Sequence, residues 1–199
     1  MSEPLKIIKG KTFTLVIRWE TLPLVFKAIS AITKAAGPVV TAAAHGIPDG
    51  WPVAVVSALG MRQINAKNFP PYDDEFHQAT LLSSSTISLN EVNSSEYSTY
   101  TSGGYLVYYT PVALSGMLAR CQIRLTEDAD DYLVSLTQAS GITINDTTKT
   151  ITITISATAT AALDVVTDAQ IEVEAEDGTG VVTQLLRTSI SIEEEIVHV

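Results

Sequence analysis

Between residues 117 and 192 apolar side chains recur at every second position, in runs broken by short polar turns. Met117, Ala119, Cys121, Ile123 and Leu125 share one face of an extended chain; Leu118, Arg120, Gln122, Arg124 and Thr126 share the other. A period of two scatters apolar groups around a helix but gathers them on one side of a strand, so this half of the chain must pair into sheets. Further strands are expected at Tyr132–Gln138, at Ile142–Ile144 with Thr150–Ile155, and at Ala169–Glu176 with Val181–Ile192. The last two pairs flank Asn145–Lys149 and Asp177–Gly180, both hairpin-turn compositions. Ser156–Leu163 reads as a single helical turn capped by Ser156.

The preceding half carries a weaker version of the same signal. A strand is expected at 12–19 after a turn at Gly10, and Glu20–Pro23 reads as its break. Residues 24–36 mix helical composition with alternation at Phe26, Ala28, Ser30 and Ile32, and stay open between helix and strand. Pro48-Asp49-Gly50 is a turn, and Pro70-Pro71 with Asp73–Glu75 a loop. Strands follow at Gln78–Leu82, Thr86–Leu89 and Tyr105–Thr110, with a helical turn expected within Ser94–Tyr100. Strands every 8–12 residues without βαβ alternation specify an all-β fold, an antiparallel sandwich or barrel.

Charge is unevenly placed along this pattern. Residues 1–114 carry 8 basic and 8 acidic side chains, and residues 115–199 carry 4 and 14, which is the whole net charge of −10. Such an acidic chain lacks the lysine and arginine needed to replace phosphate counterions, so nucleic acid is not an expected partner. The single cysteine excludes an internal disulfide and a cysteine-based zinc site. No apolar run approaches the roughly 18 residues of a membrane helix, and Met1-Ser2-Glu3-Pro4 does not open a secretion signal; synthesis in a cytosol without membrane insertion is expected.

Two segments resemble known families. Residues 29–112 contain ITKAAGPVVTAAAHGIPDGWPVAVV, GMRQINAKNF and STISLNEVNSSEYSTYTSGGYLVYYTPV. In order, His45-Gly46, Asp49-Gly50, Gly60-Met61, Ile64-Asn65, Thr86-Ile87 with Leu89, Tyr97–Tyr100 and Gly103-Gly104 resemble the small barrel called the first catalytic cysteine half-domain (FCCH) of ubiquitin-activating enzymes. That half-domain does not carry the catalytic cysteine, and residues 22–114 contain none. With no room for an adenylation domain either, ubiquitin activation is not implied. The resemblance extends to barrel modules of tailed-phage structural proteins.

The second resemblance is to the immunoglobulin-like N-terminal domain of phage baseplate upper proteins. It rests on Lys9-Gly10-Lys11-Thr12-Phe13-Thr14-Leu15-Val16-Ile17-Arg18-Trp19, on the strand Gly116–Arg124, and on Ser156-Ala157-Thr158-Ala159-Thr160-Ala161-Ala162-Leu163. Leu185–Ile190 departs from it, with Thr188 where that family has glycine. Together the resemblances imply an Ig-like antiparallel sandwich whose first strand lies in 1–21 and whose remainder lies in 115–199, with the FCCH-like barrel inserted at 22–114. They imply a non-enzymatic virion component of the tail, baseplate, neck or fibre attachment, made in the host cytoplasm. Its partners would be other virion proteins, in multiple copies or as a homo-oligomer, with a host-surface glycan as the alternative partner.

Chemistry-bearing residues are sparse. Cys121 falls on an apolar strand face and is expected to be a buried hydrophobe. His45, His77 and His198 show no metal-ligand spacing; His45 is expected to make a structural hydrogen bond and His198 to be solvated. Glu127–Asp131 offers calcium-type ligands without EF-hand spacing and reads as a solvated loop. Glu193-Glu194-Glu195 reads as a charged tail or an ionic contact to a basic partner. Gly103-Gly104 lacks the Lys-Ser/Thr and helix of a phosphate loop. Tyr97, Tyr100, Tyr105, Tyr108 and Tyr109 form an aromatic stretch suited to a sugar or an interface, with the Tyr105, Val107 and Tyr109 face expected to be partly core. No catalytic, cofactor-binding or metal site is expected, and no cofactor.

Overall fold

The structure is a computed structural model, and it describes residues 5–196. The described chain is all-β, with fifteen strands and one five-residue helix. It divides into two compact units: Glu20–Val112 forms one, and the segments on either side of it form the other. The divisions fall after Trp19 and after Val112, against the expected 21 and 114.

The first segment makes two strands rather than one. β1 (Leu5–Ile8) and β2 (Phe13–Arg18) are separated by a turn in which Gly10 takes φ +76°, a conformation that disfavours a side chain. The turn sends the two strands into different sheets.

The unit Glu20–Val112 begins with β3 (Glu20–Ala28) and β4 (Ala31–Ile32). The ambiguous stretch 24–36 is therefore extended where it is regular, and the expected break at Glu20–Pro23 lies inside β3, absorbed by a register shift between Thr21 and Leu24. Then come β5 (Val39–Thr41), β6 (Trp51–Val56), β7 (His77–Ser83), β8 (Thr86–Leu89) and β9 (Tyr105–Pro111), with short 3-10 turns at Arg62–Ile64 and Asp73–Glu75. The order is β3-β9-β6-β7-β8-β5-β4. Only Ile29 and Ser30 separate β3 from β4, and their amides donate to Gly104 O (3.0 Å) and Thr41 O (2.9 Å). One bent segment thus pairs with β9 at one end and β5 at the other, which closes the curled sheet. Trp51, Val53, Val55, Ile87, Leu89, Leu106 and Tyr108 fill it. Ser94–Tyr100 is a turn with one internal backbone bond, Tyr97 N to Ser94 O, and not a helix.

The chain returns with β10 (Leu118–Arg124), β11 (Val134–Thr137), β12 (Ile142–Asn145), β13 (Thr150–Ile155), the helix α1 (Ala157–Ala161), β14 (Val166–Glu176) and β15 (Val182–Glu193). These strands and the first two make a β-sandwich of a five-stranded sheet, β1-β15-β14-β10-β11, and a three-stranded sheet, β12-β13-β2. β1 runs parallel to β15; all other pairings are antiparallel. Ala119, Cys121, Ile123, Ile171, Val173, Ala175, Ile190 and Ile192 are buried on one sheet, and Ile142, Ile151, Ile153 and Ile155 on the other. Leu125 does not join them: β10 ends at Arg124, and Leu125 is 51% exposed. Ser156 caps α1 as expected, its hydroxyl accepting from Ala159 N–H at 3.2 Å.

Candidate functional site

The histidine singled out in the barrel is a structural one. His45 is 1% exposed, just ahead of the Gly46 turn. Ile47 N–H donates to its Nδ1 at 3.0 Å, which leaves the proton on Nε2, 3.0 Å from Ser83 O. The Tyr108 hydroxyl donates to the His45 carbonyl. Both ring nitrogens of His45 are thus spent on backbone, and burial pushes the Tyr108 phenol up to about 12. His77 sits half-buried at the start of β7. His198 lies outside the described residues. Cys121 is fully buried, and burial raises its thiol to about 12, the opposite of nucleophile activation.

The acidic loop is organised by arginine. The Arg124 guanidinium donates to Ala129 O, and Arg187 pairs with Glu127. Among the described residues no group of three or more His, Cys, Asp and Glu side chains is placed to hold a metal. Glu193, Glu194 and Glu195 do not form a free tail. They pair with Lys6 (3.7 Å), Lys9 (3.1 Å) and Lys11 (3.5 Å) of the first segment. This also redraws the charge map. Residues 20–112 carry 4 basic and 7 acidic side chains, and the other unit carries 8 and 15. The acidity is shared as −3 and −7 once the N-terminal lysines are counted with the strands they touch.

The tyrosine stretch splits. Tyr108 is core, together with Leu106, while Tyr105 is 46% exposed and Tyr109 half-buried. The face expected to be partly core is fully buried at Val107 and open at Tyr105. Tyr100 turns its hydroxyl inward to Ile29 O (3.0 Å) and Gly103 O (2.9 Å). Tyr105 instead joins a surface cluster that periodicity does not reveal. Its ring lies edge-on to Phe26 at 6.3 Å, and Phe26 lies 6.0 Å from Phe69, which is 73% exposed. Phe69 comes from the loop after the first 3-10 turn, so no spacing within one strand could signal it.

A second surface feature lies on the solvent face of the five-stranded sheet. A concavity of about 360 Å3 is lined by Arg120, Arg124, Arg187, Glu127, Glu172 and Glu174, among others. Arg120 Nε donates to Glu174 at 2.6 Å, and that carboxylate raises the guanidinium pKa. Arg124 is held by Gln122 and the acidic loop. The period-two placement of 120, 122 and 124, and of 170, 172 and 174, is legible in the sequence, but the pairing of the two strands is not. All three guanidinium groups are engaged by neighbours, and the lining pairs no nucleophile with a general base.

No protein-family model matches the chain, and no curated protein sequence matches it. No helix among the described residues is long and apolar enough to cross a membrane.

Proposed function

We propose that the chain is a non-enzymatic structural component of a tailed-phage particle, acting in the tail, baseplate, neck or fibre attachment through protein–protein assembly. The observation that carries this reading is the discontinuous architecture. One continuous segment closes into its own barrel with its own core, between two segments that share a sandwich. That is the arrangement implied by the resemblance to an Ig-like baseplate domain carrying an FCCH-like insert. Cys121 is buried, His45 is saturated by backbone, and Arg120 and Arg187 are paired with carboxylates. Mass spectrometry of purified particles from the source tests it. The chain should be present in stoichiometric amount, and antibodies against it should label the tail end; particles lacking it would refute the reading.

A second reading, adsorption to a host glycan, draws on the cluster Phe26, Phe69 and Tyr105. Exposed aromatic rings stack on sugar faces. Binding on a glycan array that is lost in Phe69→Ala and Tyr105→Ala, and kept in Tyr97→Phe, would favour it over pure scaffolding.

A further inference from the structure

β1 is held differently from every other strand. It lies at the edge of its sheet, four residues long, and buries one large side chain completely, Ile7. It is bonded to β15 and to no other strand, because the turn at Gly10 sends β2 into the other sheet. Ion pairs add to this attachment. Lys6, Lys9 and Lys11 meet Glu193, Glu194 and Glu195 in the same chain order, and Lys9 N–H donates to Glu193 O at 2.9 Å. The Glu195 carboxylate sits close over Gly10, where an added Cβ would meet it at 3.0 Å. Exposed ion pairs contribute little each and are screened by salt. Such an edge strand sits at the low end of local stability.

We propose that β1 is an ion-latched, releasable strand, and that the slot it leaves along β15 takes the β1 of a second copy of this chain. The slot specifies its occupant closely. It needs an extended segment with a buried aliphatic side chain at Ile7, and lysines one residue before it, two after and four after. A second copy supplies that pattern by identity. The four residues Lys9–Thr12 form the hinge, and a short hinge at an edge strand is a low-cost route to exchange. The exchange leaves β15 with the same bonds it has in the single chain, so only hinge strain and concentration decide between the two forms.

A charge-swap pair tests this on the full chain. One variant carries Lys6→Glu, Lys9→Glu and Lys11→Glu; the other carries Glu193→Lys, Glu194→Lys and Glu195→Lys. Alone, each sets like charges against the slot, and hydrogen exchange over residues 5–11 should run roughly ten-fold faster than in the wild type. Mixed, the acidic β1 of the first fits the basic slot of the second, and the unaltered β1 of the second meets the unaltered slot of the first. A one-to-one heterodimer should then appear by native mass spectrometry, with protection over 5–11 restored. Unchanged exchange in the separate variants would overturn the latch. Released strands that stay monomeric on mixing would overturn the exchange. Should either variant lose protection in β14, the wild type decides: taken at high concentration from high salt to low, it should trap a dimer, and monomer alone would refute the proposal.

Discussion

The two units bury their strands in different ways. In the sandwich unit, β13 reads Thr-Ile-Thr-Ile-Thr-Ile, with all three isoleucines buried and no threonine buried; β14 alternates as strictly over Ala169–Glu176. In the barrel unit, β6 is buried at Val53, Ala54, Val55 and Val56 in succession, and β9 at Leu106, Val107 and Tyr108. The reason is partial cover on the second face. Val107 faces away from the barrel core, between Phe26 and Ala54, on the face where Phe69 lies against Phe26 and Phe76 against Tyr109. Ala66 N–H bonds to Val55 O at 2.7 Å, which draws the loop after β6 along that strand. A sheet with one wet face writes its fold in alternation; a sheet covered on both faces does not.

The sharpest way to break this comparison is to empty one core. Trp51 is fully buried, and its indole N–H donates to Tyr109 O at 3.1 Å. Trp51→Ala should cost about 3–5 kcal/mol from the cavity, with the stranded carbonyl adding to it. Because each unit has its own core, hydrogen-exchange protection should collapse over residues 20–112 and persist at Ile171 and Val173. Equal loss in both would mean that the units fold as one.

His45→Ala is the next largest. It leaves Ile47 N–H and Ser83 O without the ring that joins them, in a buried site, at about 1–3 kcal/mol. Chemical denaturation should show a lowered midpoint for the barrel unit alone, and a variant as stable as the wild type would refute the structural role of the ring.

The contrast in burial predicts a smaller but more pointed effect. Val107→Thr puts a hydroxyl on the outward face of β9, where a one-faced sheet would tolerate it. Here it should cost about 1–3 kcal/mol, because Val107 itself is fully buried. Thr152→Val, on the outward face of β13, should change stability by no more than about 0.5 kcal/mol. Similar values for the two would remove the distinction between the units.

This contrast also explains what can be read from the chain alone. The hairpins β12–β13 and β14–β15, and the Ser156 cap, follow from patterns confined to a few neighbouring residues. Residues 24–36 are ambiguous because β3 and β4 are one bent segment, with Phe26 exposed on the outer face and Ile29 and Ile32 in the core. Alternation places Tyr105 on the face of Val107, as the structure does, but it does not show that Val107 is fully buried there while Tyr105 stays 46% exposed. β1 escapes sequence patterning because its partner, β15, lies 185 residues away and pairs in parallel. The lysine–glutamate ladder is illegible for the same reason: each half is an ordinary charged surface until the two ends are brought together.

The smallest expected effect concerns acid, and it too separates the units. In the sandwich unit the Lys149 ammonium, at 2.6 Å, and the Leu114 N–H hold the Asp146 carboxyl below the usual carboxylate range. In the barrel unit the Tyr72 N–H, with the Lys67 and Asn68 amides, does the same to Glu75. A carboxyl depressed in the folded state contributes stability that is whole above its unfolded value near about 4 and is lost as pH falls through its folded value. Asp146→Asn keeps an acceptor for Leu114 but gives up the charge facing Lys149. The variant should be slightly less stable than the wild type at neutral pH, and the gap should close as the pH drops below about 4. Denaturant midpoints across that range should show the change in the sandwich unit alone, and Glu75→Gln should show the mirror result in the barrel. A gap that held constant with pH would mean that the Lys149 contact contributes through packing and not through charge.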